Sequence, residues 1–199
     1  MMLAVVLGYL AGSVPFAFLL ARRAGIDVRR VGSRNVGAAN VMRSTGTGRA
    51  VAVMALDVAK GAAAVALANI TTGGAALAAM TGAAAVVGHI YPVWLRFHGG
   101  KGVAVAAGVF VMLTPVATAL AAVVFLLTVW TTRYVSLGSI AATIALPPVA
   151  WAVGAPVAVV FAAAGSASLI LFRHRTNLQR LREGTERRLG RDRSGPAPA

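Results

Sequence analysis

Three polar segments in an otherwise apolar chain carry residue types that handle phosphate. Residues 32–46 read GSRNVGAANVMRSTG. Small residues with Asn and Ser let backbone N–H groups converge on an anion, and an arginine supplies a bidentate partner. Ser33, Asn35, Gly37, Asn40 and Arg43 are the candidates there. Residues 98–102 read HGGKG. Gly99, Gly100 and Gly102 would let the backbone approach a phosphate, and Lys101 adds a point charge. Val103 opens the next apolar run, so this loop stands at a helix N-terminus that favours an anion. The Gly-x4-Gly-Lys-Ser/Thr spacing of a P-loop is missing. Residues 173–186 read RHRTNLQRLREGTE. His174 and Asn177, at i and i+3, share a face on a helix. Leu178, Leu181 and Leu189 recur at roughly helical spacing, which suits an amphipathic helix at a membrane surface. The plainer readings are a flexible connector for the first segment and a solvated basic tail for the third.

The elements that must position these residues are membrane spans. The chain has 199 residues, 58% hydrophobic and 12% charged, with mean hydropathy +0.79. Soluble domains have about 25% charged residues, so a cytosolic enzyme is excluded. The lack of cysteine excludes a disulfide scaffold, a thiol nucleophile and a cysteine zinc site. Seventeen arginines and two lysines face five acids, for a net charge of +14. In a soluble protein that balance would point to nucleic acid. Here it reads as positive-inside loops facing an anionic inner leaflet, with no nucleic-acid partner.

Uncharged runs cover 1–21, 61–95, 103–132 and 134–172. A span needs about 20 apolar residues. The first run is one span, and 50–95 holds two, split at Thr71-Thr72-Gly73-Gly74. Residues 103–132 would make about 45 Å of helix, long for one span and short for two. Charge parity decides for two, broken at Thr114-Pro115, because only then does every arginine fall on one side. Pro147-Pro148, Gly154 and Pro156 split 134–172. The expectation is an all-α bundle of seven transmembrane spans, N-terminus outside and C-terminus cytoplasmic. Residues 1–190 form a single domain, and 191–199 form a disordered tail. Arg22 and Arg23 follow the first apolar run instead of preceding it, so it does not read as a cleaved signal.

Asp57 and Lys60 fall inside the second span at i and i+3, Asp57 about 12 Å deep from Arg49. Charges at that depth must pair or face a polar cavity. A structural ion pair is the favoured role, and His89 in the third span reads as packing or hydrogen-bonded.

At these motifs the chain resembles the PlsY family of bacterial integral-membrane acyl-phosphate:glycerol-3-phosphate acyltransferases. The resemblance is carried in order by GSVPF (12–16), GSRNVGAANVMRSTG (32–46), LDVAKG (56–61), GHIYPVWLRFHGGKGVA (88–104), RYVSLGSI (133–140) and RHRTNLQRLREGTE (173–186). It implies a seven-span bundle in the bacterial inner membrane with its active site at the cytoplasmic face. It implies transfer of a fatty acyl group from acyl phosphate to the 1-hydroxyl of glycerol 3-phosphate, giving lysophosphatidic acid, without metal or cofactor. A functional link to the enzyme that makes acyl phosphate follows. By resemblance, Ser33 and Arg43 match the essential Ser and Arg of the first motif, and Gly99 to Gly102 the loop that binds acyl phosphate. His174 and Asn177 match the His and Asn of the third motif, and Glu186 its structural Glu. Arg133, Ser136 and Ser139 join the substrate-binding set, with Asp57, Lys60 and His89 in support. Arg34 stands where the family commonly has Gly, and Ala39 where it has Thr.

An acyl phosphate already carries a good leaving group, and no Ser-His-Asp set can be assembled from the spacing. Direct attack by the acceptor hydroxyl is therefore favoured, with Lys101 and Arg43 clamping phosphates. His174 is the general base or orients the acceptor, whose own phosphate is another base. Ser33 reads as a hydrogen-bond donor to phosphate, with a nucleophile as the other reading. A small transporter for an anionic substrate is the rival, but the unusual residues cluster at one face and not at the midplane. Metal-dependent CDP-alcohol chemistry lacks its acids. The His-x4-Asp motif of soluble-type acyltransferases is absent.

Overall fold

Apolar runs bounded by arginines become helices, and motif segments become the connections at one end. The computed structural model describes residues 1–70 and 74–190. The expected turn at 71–73 and the expected tail at 191–199 lie outside the described residues. The helices are α1 (Met2–Ser13), α2 (Phe16–Arg22), α3 (Ala38–Thr45), α4 (Thr47–Asn69) and α5 (Gly74–Ile90). A 3₁₀ turn follows at Val93–Leu95, then α6 (Val103–Leu113), α7 (Pro115–Thr132), α8 (Val135–Ala152), α9 (Val157–Arg173) and α10 (Arg175–Arg182). No strand occurs among the described residues.

Five segments are long and apolar enough to cross a bilayer: Met2–Arg22, Thr47–Asn69, Gly74–Leu95, Pro115–Thr132 and Val135–Ala152. A sixth, Val157–Arg173, bends by 55° into Arg175–Arg182. The chain does break at Thr114-Pro115, and both ends of the α6–α7 pair lie beside the motif segments. Lys101 bonds Asn177, and the Arg133 carbonyl accepts the Leu189 N–H at 2.7 Å. Yet α6 has only 11 residues, about 16 Å of helix, and falls short of a full crossing. The shortfall has a cause. Residues 96–102, which would have lengthened α6, are non-helical and folded against the end of α5. Non-helical backbone survives at such depth only where it is buried in protein or lines a cavity. Pro147-Pro148 does not split the last run, because α8 continues through both prolines. The break falls at Gly154, which has φ 76.

Packing rests on small residues that let backbones touch. A Cβ on Gly108 of α6 would lie 1.9 Å from the Val58 carbonyl oxygen of α4, and one on Gly12 of α1 2.1 Å from that of Ala85 in α5. The main core runs through α4, α5, α6 and α9 with Val65, Val86, Val109 and Phe110 fully buried. A second cluster lies under the first motif. Val28, Val36 and Val41 pack there with Ala17, Ala21, Val53 and Leu95. Residues 32–46 are thus anchored at two valines, Val36 and Val41, and do not form a flexible connector.

Candidate active site

Ser33, Asn35, Gly37 and Arg43 from the first motif, Gly99, Lys101 and Gly102 from the second, and His174 and Asn177 from the third line one open cavity of about 1770 Å³. Ser136, Ser139 and Glu186 line it too. Four stretches far apart in sequence therefore meet at one end of the bundle.

At its centre is a chain of hydrogen bonds. The Lys101 ammonium donates to Asn177 Oδ1. Asn177 Nδ2 donates to Glu186 Oε1 at 2.6 Å, and Ser136 Oγ donates to the same oxygen at 2.8 Å. Arg180 Nε donates to Glu186 Oε2 at 2.7 Å. Burial pushes the Glu186 carboxyl up, but the bonds from Ser136, Asn177 and Arg180 outweigh it and hold the group below the ordinary carboxylate range. Burial pulls the Lys101 ammonium down to about 8; Glu186 opposes this, while the charges of Arg180, Arg43 and Arg173 add to it. Lys101, Arg43, Arg173 and Arg180 thus lie within electrostatic reach of one another, and the one carboxylate among them, Glu186, is already engaged.

His174 sits just beyond α9, fully buried at 2% exposure. Its Nδ1 donates to the Ile170 carbonyl at 2.8 Å, so Nε2 carries the lone pair. Burial, then the Lys101 charge, lowers its pKa to about 4, so the ring is neutral at physiological pH.

Several expected binding residues have other work. Asn40 is fully buried. Its Oδ1 accepts the Ser33 N–H at 2.9 Å, and its Nδ2 donates to the carbonyls of Val28 and Val31 at 2.9 and 3.1 Å. It brackets the 28–33 loop and leaves little bonding capacity for a ligand. Gly99 and Gly100 do not offer free amides. Their N–H groups donate to the Ile90 and His89 carbonyls, each at 3.1 Å. They are glycines because a Cβ would lie 2.1 Å from the His89 carbonyl oxygen at Gly99 and from His89 Nε2 at Gly100. Gly102, with φ 93, caps α6. Ser139 Oγ bonds back to the Val135 carbonyl at 2.9 Å. Arg133 is not in the cavity wall; it ends α7 with φ 65. Arg34 keeps the left-handed backbone that a glycine takes freely, at φ 57.

Arg173 and Arg180 are site residues that the sequence reading did not single out. Arg173 Nη2 donates to the Gly99 carbonyl at 3.3 Å, tying α9 to the glycine loop. Arginines just outside a span are ordinary, so no signal in the sequence separates these two from their neighbours.

Below the charged mouth the cavity continues as a groove among α6, α7, α8 and α9. Its wall is mostly apolar, with Ala107, Phe110, Phe125, Leu146, Ala163 and Ile170 on it beside Thr118, Thr143 and Ser166. From His174 to Ala163 the groove runs about 16 Å along α9. Among the described residues no group of three or more His, Asp or Glu could hold a metal ion.

The fold and site define a helical membrane protein with a cationic cavity, backed by a groove, at one end of the bundle. The sequence pattern of the glycerol-3-phosphate acyltransferase family matches residues 2–184. The glycerol-3-phosphate acyltransferase of Rhodopseudomonas palustris is 46% identical over 190 residues, covering 94% of this chain and 95% of that one. Glycerol-3-phosphate acyltransferase 1 of Deinococcus radiodurans is 44% identical over 196 residues, covering 95% and 96%. Two crystal structures of PlsY (YgiH), an integral membrane glycerol 3-phosphate acyltransferase, superpose with TM-scores of 0.91 and 0.89 at 41% and 40% identity. Each covers 95% of both chains; one is the glycerol 3-phosphate form and the other the lysophosphatidic acid form. The chain belongs to the PlsY-type glycerol-3-phosphate acyltransferase family.

Proposed function

We propose that this chain moves a fatty acyl group from acyl phosphate to the 1-hydroxyl of glycerol 3-phosphate, releasing phosphate and lysophosphatidic acid. The observation that carries this reading is the continuity of two environments in one cavity. Lys101, Arg43, Arg173 and Arg180 outnumber Glu186 at the mouth, and an apolar groove leads directly away from them. A donor with an anionic head and a long tail fills both parts. The surplus of positive charge leaves room for a second, smaller phosphate beside the first.

In the reaction the acceptor oxygen bonds to the acyl carbonyl carbon, and the carbon–oxygen bond to phosphate breaks. The phosphate leaves with that electron pair. Lys101 stabilises charge developing on the carbonyl oxygen or the leaving phosphate. Arg43 offers the planar fork for a phosphate, and Ser33 a hydroxyl donor. The hydroxyl proton goes to His174 Nε2 or to the acceptor's own phosphate; His174, held down to about 4, is neutral and free to accept but is the weaker base. Because the leaving group is good, this scheme calls for no metal, no cofactor and no acyl-enzyme.

The arrangement in the membrane follows from charge. The mouth carries Arg29, Arg30, Arg34, Arg96, Arg175 and Arg188. Such a rim belongs on the cytoplasmic side of a bacterial inner membrane, against an anionic leaflet. With seven helical passes, α6 being the short one, the N-terminus is outside and the C-terminus inside. That face also suits delivery of donor by the enzyme that makes acyl phosphate.

The test is turnover by purified protein given acyl phosphate and glycerol 3-phosphate, with acyl-CoA in a parallel assay. Lysophosphatidic acid from acyl phosphate alone is the expected result. Turnover with acyl-CoA and none with acyl phosphate would overturn the donor assignment.

A further inference from the structure

Inside the bundle lies a charged cluster that the Lys101 network does not use. Lys60 Nζ is 2.8 Å from Asp57 Oδ1, 2.7 Å from the Val14 carbonyl oxygen and 3.1 Å from His89 Nδ1. The side chains of Lys60 and Asp57 are 5% and 3% exposed. The ammonium is hydrogen-bonded to the Val14 carbonyl and to His89 Nδ1 and ion-paired with Asp57, so three partners surround one nitrogen. His89 therefore accepts at Nδ1 and carries its proton on Nε2.

A buried ammonium needs acceptors beyond its counter-ion, and the elements that supply them here are informative. Here one donor goes to the break between α1 and α2, and another to an imidazole whose residue carries the glycine loop. The Gly100 N–H donates to the His89 carbonyl at 3.1 Å. A Cβ on Gly100 would lie 2.1 Å from His89 Nε2 and 2.7 Å from the Val36 carbonyl oxygen of the first motif. The residue just before Lys101 is thus wedged between His89 and Val36, with no space for a methyl group.

We propose that Lys60 is a positioning residue for Lys101: it fixes the His89 imidazole, His89 fixes Gly100, and Gly100 sets where the Lys101 ammonium stands relative to Asn177. The catalytic consequence rests on the acyl-transfer reading above; the positioning itself does not.

The chain contains only two lysines, Lys60 and Lys101. Any Lys60 variant therefore leaves Lys101 as the sole lysine, and its ionisation can be followed alone. The experiment uses full-length protein labelled with 13Cε-lysine, titrated in detergent. Asp57→Asn/Lys60→Met removes both charges together, so neither is left buried and unpaired. Glu186, Arg43, Arg173 and Arg180, the charges around Lys101, stay in place. In the wild type burial pulls the Lys101 ammonium down to about 8. In the double variant it titrates at least one unit closer to ordinary lysine, kcat/KM falls at least tenfold, and Tm stays within a few degrees. Lys60→Arg is the second variant, in case the first does not fold. It keeps the pairing with Asp57, but a planar fork cannot serve all three acceptors, so the same direction of shift is expected. An unmoved Lys101 titration in a folded variant overturns the proposal whatever turnover does. A wild type inactive on acyl phosphate would sink the reaction reading, and the titration would still decide the positioning.

Discussion

Lys101 is a cation held where cations are disfavoured, which gives it a pH signature. Its ammonium is pulled down to about 8, so the free enzyme loses that charge as pH rises through 8. A phosphate bound beside it favours the charged form and moves the loss to higher pH. The alkaline limb of kcat/KM is therefore expected near 8, with the limb of kcat above it. Lys101→Arg should be slower but should lose this limb, because guanidinium stays charged throughout. A limb that persists unchanged in that variant assigns it to another group. Gly100 makes a different point at the same scale. Its amide is bonded to His89, so the effect of Gly100→Ala is to dislodge the loop and not to block one phosphate. Initial-rate measurements should show kcat falling at least tenfold with KM for both substrates affected. A rise confined to the KM of acyl phosphate would return the loop backbone to donor recognition.

At the level of elements, close glycine contacts hold the bundle, and charge parity is the basis proposed for its direction in the bilayer. Gly108→Ala puts a methyl group 1.9 Å from the Val58 carbonyl oxygen, against backbone that cannot rotate away. Overpacking of this kind costs about 1–3 kcal/mol, so a lowered Tm is expected, and an unchanged Tm would show that α4 and α6 can part. The direction of the helices in the bilayer is read by labelling. A single cysteine at Gly154, between α8 and α9, should react from outside the cell, and one at Gly46 only from inside; Gly154 labelling solely from the cytoplasm would reverse the arrangement. Much of this element plan was legible in the sequence. The break at Thr114-Pro115 followed from where arginines could lie, and the meeting of the three motifs followed from placing them at one face. The length of α6 was not legible, because composition does not say that residues 96–102 fold back onto α5. Pro147-Pro148 read as a break, yet α8 absorbs both prolines. Asn40 was legible as a polar residue in a phosphate-like loop, but no pattern distinguishes an asparagine satisfied by three backbone groups from one that binds a ligand. Arg173 and Arg180 were hidden among the other arginines that flank the apolar segments.

The whole molecule opens a cationic mouth onto an apolar groove in one cavity, and under the acyl-transfer reading that combination constrains the order of events. The cationic mouth exceeds what one engaged carboxylate needs, and Ser33, Arg43, Lys101 and His174 come from different segments that converge on one space. A site built to hold donor and acceptor at once gains its rate from proximity, and it has no need to store the acyl group on the protein. Ser33 is the side chain that could contradict this, because its hydroxyl lies in the same cavity. Its loop is fixed by Asn40, yet no base is hydrogen-bonded to that hydroxyl among the described contacts, as nucleophilic catalysis would ask. Direct transfer predicts intersecting initial-rate lines when both substrates are varied. It also predicts that protein incubated with radiolabelled acyl phosphate alone stays unlabelled after denaturation. Arg43→Lys should lose at least tenfold in kcat/KM, since an ammonium cannot reproduce a bidentate grip on phosphate. Ser33→Ala is damaging under either scheme and decides nothing by itself. Parallel initial-rate lines together with a stable acyl adduct on Ser33 would make Ser33 the nucleophile and the cavity a site visited by one substrate at a time.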